Sequence, residues 1–314
     1  MTSDMRIGVM GAGAVGGFFG ARLAQVGATV TLIGRPGHVA AIGEHGLALT
    51  SGGVRTHVPL AASTDVGALA DADAVLVAVK STDTDAVAAS LAAVLAPDAL
   101  IVSLQNGVDN AWRIRERGAQ PVVPAAVYVS AEMTGPGELR HNGGGRLVVG
   151  RPLTADGSGA TARLDRLVAL FERAGVPCQR SDDIRVDLWT KLTANCAYNA
   201  ISALTELRYR HLTADAGVRE VMRLVIDENA AVAQADGVPV ATEILNDAVR
   251  RIAEVMPEAL SSTAQDLQRG RLTEIEHLNG YVVRRGLALG VPTPVNRTLQ
   301  ALVSLAERTR DQRG

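Results

Sequence analysis

A lysine and two asparagines, Lys191, Asn195 and Asn199, recur at intervals of four within a segment of helical periodicity. That spacing lines their polar ends along one slowly turning stripe of a helix, with Leu188, Leu192 and Cys196 forming an apolar stripe beside it. One ammonium and two neutral amides next to an apolar face suit the wall of a cleft, where charge or hydroxyl groups of a small molecule are oriented. The competing reading is a solvated helix face that carries asparagine by chance.

A second feature is the string Gly11-Ala12-Gly13-Ala14-Val15-Gly16. An apolar run, Met5–Met10, leads into it, a helix-like segment, Val15–Val26, continues it, and a β-branched run, Thr29–Ile33, follows. Strand, glycine loop, helix and strand in that order make the βαβ unit that binds a dinucleotide. Gly11 serves the tight turn, Gly13 the approach of backbone to pyrophosphate, and Gly16 the packing of helix on strand. Amides at the helix start face the phosphates. An NAD site would place an acidic residue about 20 positions on, at the ribose 2′-hydroxyl, yet no Asp or Glu occurs between Gly11 and Glu44. Gly34-Arg35 ends the second strand instead, and a guanidinium there is a bidentate partner for a 2′-phosphate, so NADPH is expected over NADH. Arg35 as a solvated loop cation is the alternative, and Arg22 and His38 are further candidates.

The third cluster is Ser261-Ser262-Thr263-Ala264-Gln265-Asp266 with Thr273-Glu274-Ile275-Glu276-His277-Leu278-Asn279-Gly280. Ser262 with Gln265, and Thr273 with Glu276, match the capping box, so these four can be read as helix starts. Glu274 and Asn279 are left over; Glu274 either complements a helix dipole or serves a site.

The elements that must position these residues fall into two domains, the default for 314 residues. The predicted sheet-forming runs are Met5–Met10, Thr29–Ile33, a hairpin around Ser51-Gly52-Gly53 within 46–60 at the sheet edge, Ala74–Val79, Leu100–Ser103, Val122–Val129, a hairpin of Glu138–His141 with Arg146–Val149, and Val176–Gln179. Helices are predicted over 84–95, 109–117 and 160–174. In an open parallel sheet, ligands bind beyond the carboxyl ends of the strands, where the glycine loop, Arg35, Lys80 and Asn106 all fall. Beyond a boundary near Ser181 the chain reads as helical, over 183–204, 216–235, 242–255, 264–269, 274–289 and 295–308. The fold class is therefore α/β: a Rossmann-type, mostly parallel sheet domain over 1–181, and an all-helical domain over 182–314.

A composition of 47% hydrophobic and 20% charged residues is that of a soluble globular protein, and a net charge of −2 with 3% aromatic residues argues against nucleic acid or an anionic membrane as partner. Glycines and Arg22 interrupt the apolar N-terminus as a secretory signal, and no run has the length of a membrane span. Cys178 and Cys196 lack metal-ligand spacing and read as small buried thiols in a reducing cytoplasm; no metal is expected.

On these residues the sequence resembles the ketopantoate reductase family (2-dehydropantoate 2-reductases) over essentially its whole length. The matching blocks are GAGAVGGFFG at the start, Val79-Lys80, Gln105-Asn106-Gly107, GPGELRHNGGGRLVVG at 135–150, WTKLTANCAYNAISAL at 189–204 and SSTAQDLQRGRLTEIEHLNGY at 261–281. The resemblance implies NADPH-dependent reduction of the 2-keto group of ketopantoate, a step toward pantothenate and coenzyme A, in a cleft between the domains. It implies that Lys191 is the catalytic lysine, Glu274 its carboxylate partner, that Asn106, Asn195, Asn199 and Ser262 line the substrate site, and that Lys80 lies near the cofactor. Hydride transfer to a ketone builds negative charge on its oxygen, which a buried ammonium can stabilise and protonate. A small 2-keto acid is the expected partner, and a homodimer is compatible with the sequence.

Two positions depart from the family pattern. Asp83 stands where members often carry Gln, and Leu207-Arg208-Tyr209-Arg210 lacks the family's later substrate-binding asparagine. Tyr209 or Arg208 could then select another 2-oxo acid. Reduction of such an acid or an imine is the rival activity, and a non-catalytic NADP-binding protein is the rival of another class.

Overall fold

The computed structural model describes residues 5–153 and 157–309, which form two compact units, one running through Ile184 and one starting at Arg185. The first begins with β1 (Arg6–Met10), α1 (Ala14–Ala24), β2 (Thr29–Ile33), α2 (Pro36–His45), β3 (Leu47–Ser51), β4 (Val54–Val58) and β5 (Ala61–Ser63). It continues through β6 (Ala74–Val77), α3 (Thr84–Val94), β7 (Leu100–Ser103), α4 (Asn110–Arg115), β8 (Val122–Gly135), β9 (Glu138–Val149), α5 (Gly157–Arg173) and β10 (Cys178–Arg180).

These strands make one ten-stranded sheet in the order β4-β3-β9-β8-β7-β6-β1-β2-β5, with β10 beside β9. The run β5-β2-β1-β6-β7-β8 is parallel throughout. Every residue of β6 and β7 is buried, as continuous apolar sequence requires of strands covered on both faces. The order reverses between β1 and β6, so a crevice is expected beyond their carboxyl ends.

The sequence is misleading in one part of this sheet. Glu138–His141 and Arg146–Val149 do not pair with each other; both belong to β9, which runs antiparallel to β8 along its length. Gly143, Gly144 and Gly145 take positive φ of 146°, 74° and 115°, and the β8–β9 register shifts opposite them. The glycines therefore bulge a continuous strand rather than turn it, a use of the left-handed region that composition does not distinguish from a hairpin. Helix α2 is also absent from the sequence reading. It starts with Pro36 in its first turn and buries only Ile42, so it carries little amphipathic signal.

The second unit is built on α6 (Ile184–Thr205), α7 (Tyr209–Ala214), α8 (Ala216–Ala235), α9 (Thr242–Val255), α10 (Ser262–Gln268), α11 (Asn279–Leu289) and α12 (Pro294–Thr309), with no strand among its described residues. Its core includes Trp189, Leu192, Cys196 and Tyr198 of α6 with Val225, Val232, Val282 and Val303. The single helix expected over 274–289 is divided: a 3₁₀ turn, Ile275–His277, precedes α11, and Leu278 between them leaves helical geometry at φ −106°, ψ −102°. Both cysteines are buried and unbridged, and burial pushes each thiol up to about 12. No helix among the described residues is long and apolar enough to cross a membrane.

Candidate active site

In the first unit the glycine loop joins β1 to α1. Gly11 sits at φ +112°, and a Cβ there would stand 3.0 Å from the Ala78 and Val79 main chain, beyond β6. The amides of Gly11 and Ala12 both donate to the Ile33 carbonyl, at 3.0 and 2.9 Å, tying the loop to the end of β2. A Cβ on Gly16 would clash with the Gly11 carbonyl oxygen and lie 2.8 Å from Val9 Cγ1, whereas one on Gly13 would meet nothing within 4 Å. The loop is thus packed from below and open above Gly13, the arrangement a pyrophosphate lying on backbone amides requires. Ala14 and Val15 open α1 and are half-buried.

Arg35 is exposed at the end of β2 and caps α2 through its backbone only. The other candidate phosphate partners are engaged elsewhere. Arg22, in the last turn of α1, donates to Gln25 Oε1 at 3.3 Å, and His38 Nδ1 accepts from the Gly137 amide at 3.2 Å.

Lys80 follows β6 and Asn106 follows β7, both half-buried. A buried polar network fixes the two loops to one another. Gln105 Nε2 donates to the Val79 carbonyl at 3.2 Å and to Thr84 Oγ1 at 2.7 Å, and Thr84 Oγ1 donates in turn to Asn110 Oδ1 at 2.9 Å. Asn110 Nδ2 reaches Ser81 Oγ at 3.1 Å and the Asn106 carbonyl at 2.5 Å, and Ser81 Oγ also donates to that carbonyl, at 3.1 Å. Sequence reasoning singled out Asn106 and missed these supports; the neighbouring Gln105 was the available sign. Asp83 is exposed beside Thr82, whose hydroxyl donates to it at 3.3 Å.

In the second unit α6 carries Lys191 and Asn195, half-buried, and Asn199, buried, with Leu188, Leu192 and Cys196 packed into the core beside them. The stripe therefore runs along the margin of the core rather than over a solvated face. Burial lowers the Lys191 pKa to about 8, and the Glu274 carboxylate pulls in the opposite sense. Glu274 leads into the 3₁₀ turn, and its carbonyl accepts the amides of His277 at 2.8 Å and Leu278 at 3.1 Å.

Neither expected capping box forms. The cap of α10 is Ser261, one residue earlier: its Oγ accepts the Ala264 amide at 3.0 Å and donates to the Asn199 carbonyl at 3.2 Å. Ser262 becomes the first helical residue and is exposed, while Gln265 Nε2 turns to the Leu260 carbonyl at 3.1 Å. Thr273 Oγ1 accepts the Ile275 amide at 3.2 Å, and Glu276 bonds Gln300 and Ser304 of α12 instead of reaching back. Two adjacent serines give a sequence no means of choosing between alternative caps, and tertiary partners decided both cases.

The stretch that departs from the family pattern is taken up structurally. Tyr209 is buried with its ring 4.6 Å from that of Tyr198, and burial raises its pKa. Arg208 donates to the Glu258 carbonyl and Arg210 pairs with the Glu258 carboxylate.

The sheet order and glycine loop, with a lysine and carboxylate pair on a helical unit, define the class of dinucleotide-dependent dehydrogenases that join a Rossmann domain to a helical domain. Within that class the chain belongs to the ketopantoate reductase family. The family model described as "Ketopantoate reductase PanE/ApbA" matches residues 7–153, and its C-terminal counterpart matches 183–307. The chain is 34% identical to a 2-dehydropantoate 2-reductase of Halobacterium salinarum, covering 97% of this chain and 99% of that one. It is 32% identical to one of Mesorhizobium japonicum, covering 99% of each. The crystal structure of a PanE/ApbA family ketopantoate reductase from Ralstonia eutropha JMP134 is similar with a TM-score of 0.90 at 49% identity, covering 98% of this chain and all of that one.

Proposed function

We propose that the protein reduces the 2-keto group of ketopantoate to the hydroxyl of pantoate with NADPH, and that Lys191 is the acid. The observation that carries this reading is the lysine itself, which burial brings to about 8 beside Glu274, because an ordinary lysine near 10.4 is a reluctant proton donor at neutral pH. The Gly11–Gly16 loop would seat the pyrophosphate, with Arg35 at the 2′-phosphate and Lys80 and Asn106 close by. The nicotinamide, when bound, supplies the hydride. Lys191 stabilises the charge that develops on the keto oxygen and delivers its proton there, and Glu274 keeps enough of the lysine charged to do so. Asn106, Asn195, Asn199 and Ser262 are neutral hydrogen-bonding groups and orient the carboxylate and hydroxyls of the substrate without adding charge. The reading includes a cytoplasmic location and is compatible with a homodimer, which sedimentation checks.

A panel of 2-keto acids followed by loss of NADPH absorbance tests the assignment. Ketopantoate is expected to turn over fastest; turnover no faster than pyruvate would overturn it. One observation favours a second reading, reduction of another 2-oxo acid: among 207–210 no asparagine is present, although Tyr209, committed to the core, is not the residue that would select such a substrate.

A further inference from the structure

Asn279 is the residue of the third cluster that neither capping nor the proposed chemistry employs. It opens α11, five positions after Glu274, and is completely buried. Its Nδ2 donates twice, to the Cys196 carbonyl on α6 at 3.2 Å and to Asn296 Oδ1 on α12 at 3.0 Å. Asn296 Nδ2 donates to Asn229 Oδ1 on α8 at 3.0 Å, and Asn229 Nδ2 to Thr193 Oγ1 on α6 at 3.2 Å. The bonds close a ring, from α6 through α8, α12 and α11 back to α6. All four side chains in it are fully buried, and it meets α6 at 193 and 196, on either side of Asn195 and within a turn and a half of Lys191.

The ring is not an optimal solution for stability alone. Asn279 Oδ1 is buried with no hydrogen-bond partner among the described residues, so it carries the full desolvation penalty of an orphaned acceptor. Turning the amide over would not relieve this, because Oδ1 would then face the Cys196 carbonyl, acceptor against acceptor. A side chain that served only to fill the core would be apolar. What this amide provides is a fixed reference between two main-chain segments: the turn that begins at Glu274 and the helix that carries Lys191. The other end of the turn is also held, through the Thr273 amide to Glu307 Oε1 at 2.7 Å, but that anchor lies on α12 and says nothing of α6.

We infer that Asn279 is a positioning residue that sets Glu274 against Lys191 by hydrogen-bonding the first turn of α11 to the Cys196 carbonyl. The inference rests on the reading of Lys191 and Glu274 given above. Loss of the amide lets the turn drift from α6, weakens the hold of the carboxylate on the ammonium, and costs turnover through Glu274 rather than through the fold at large. A misplacement of this kind costs roughly 10- to 100-fold in rate.

The test is a double-mutant cycle on the full chain with saturating NADPH and ketopantoate, using Asn279→Ala, Glu274→Gln and the double variant, with NADPH affinity and Tm recorded for each. The expected result is a lower kcat for Asn279→Ala with unchanged NADPH affinity, an alkaline limb of the kcat profile shifted to lower pH, and no further loss when the substitution is added to Glu274→Gln. Asn279→Ser, which keeps one donor for the Cys196 carbonyl, is expected to recover part of the rate; it also replaces Asn279→Ala in the cycle if that variant does not fold. Equal losses in both backgrounds, or an unmoved alkaline limb, overturn the inference and leave a structural amide. So does failure of both Asn279 variants to fold. An unchanged kcat in Glu274→Gln alone is the distinct outcome that removes the underlying reading, and the inference with it.

Discussion

Glu274 favours the charged form of Lys191 while burial disfavours it, and burial prevails, leaving the ammonium at about 8. The sign of the pH dependence follows. In the proposed mechanism reduction uses the ammonium as acid, so activity is complete well below this pKa and is lost as pH rises through it. A pH–rate profile of kcat is expected to be level on the neutral side and to fall about tenfold per unit on the alkaline side. Glu274→Gln removes the opposing pull, so its alkaline limb should begin at lower pH; a limb displaced upward would contradict the assignment.

In the proposed mechanism, Lys191→Ala removes both the stabilising charge and the proton. General acid catalysis contributes about 10²- to 10⁴-fold, and kcat is expected to fall within that range. NADPH affinity, measured by fluorescence titration, should stay the same, since the glycine loop belongs to the other unit. Unchanged turnover would take Lys191 out of the mechanism.

Arg35 is exposed and reads the 2′-phosphate in the proposed site. A hydrogen bond to a charged group is worth about 1.5–3 kcal/mol, or roughly 10- to 100-fold in affinity. Arg35→Ala should raise KM for NADPH by such a factor and leave KM for NADH nearly unchanged. Equal effects on the two coenzymes would mean that the 2′-phosphate is held elsewhere.

The two glycine positions respond to a methyl in different ways. Gly16→Ala drives a Cβ into the Gly11 carbonyl and Val9, an overpacking of the kind that costs about 1–3 kcal/mol, so Tm and NADPH affinity should fall together. Gly13→Ala meets no atom within 4 Å. It should keep its Tm and lose affinity, because the methyl stands where the pyrophosphate would lie.

Glu206, the residue after α6, has φ +58° and is the one described non-glycine residue at positive φ. An L side chain there costs about 1–2 kcal/mol, partly offset by the greater unfolded-state entropy of glycine. Glu206→Gly is expected to raise the denaturation midpoint; a lowered midpoint would show that the Glu206 side chain makes compensating contacts.

Legibility followed physical locality. The βαβ unit could be read because glycine spacing, β-branched runs and helix periodicity all act within about thirty residues, and the bounds of α8 and α9 follow from local stops such as Asp236-Gly237 and Met256-Pro257. The stripe of Lys191, Asn195 and Asn199 could be read because four-residue spacing is itself helix geometry. What failed depended on distant partners. Gly143-Gly144-Gly145 bulge because β8 runs alongside them, Ser261 rather than Ser262 caps α10 because the Asn199 carbonyl is within its reach, and the helix expected from Glu274 breaks where Asn279 is drawn to Cys196 and Asn296. The family resemblance supplied roles for Lys191 and Glu274 that neither spacing nor composition contains.

The loop from Gly11 to Gly16 has a consequence for the history of such a protein. Read as the phosphate seat proposed above, a loop of main-chain amides offers drift a small target: Ala14 and Val15 can exchange for similar residues without touching it, whereas a single methyl at Gly13 or Gly16 is expected to remove it. In the proposed site, coenzyme preference sits instead on the exposed guanidinium of Arg35. A lineage can therefore exchange one coenzyme for another by substitutions that the fold does not notice, while the seat beneath stays the same.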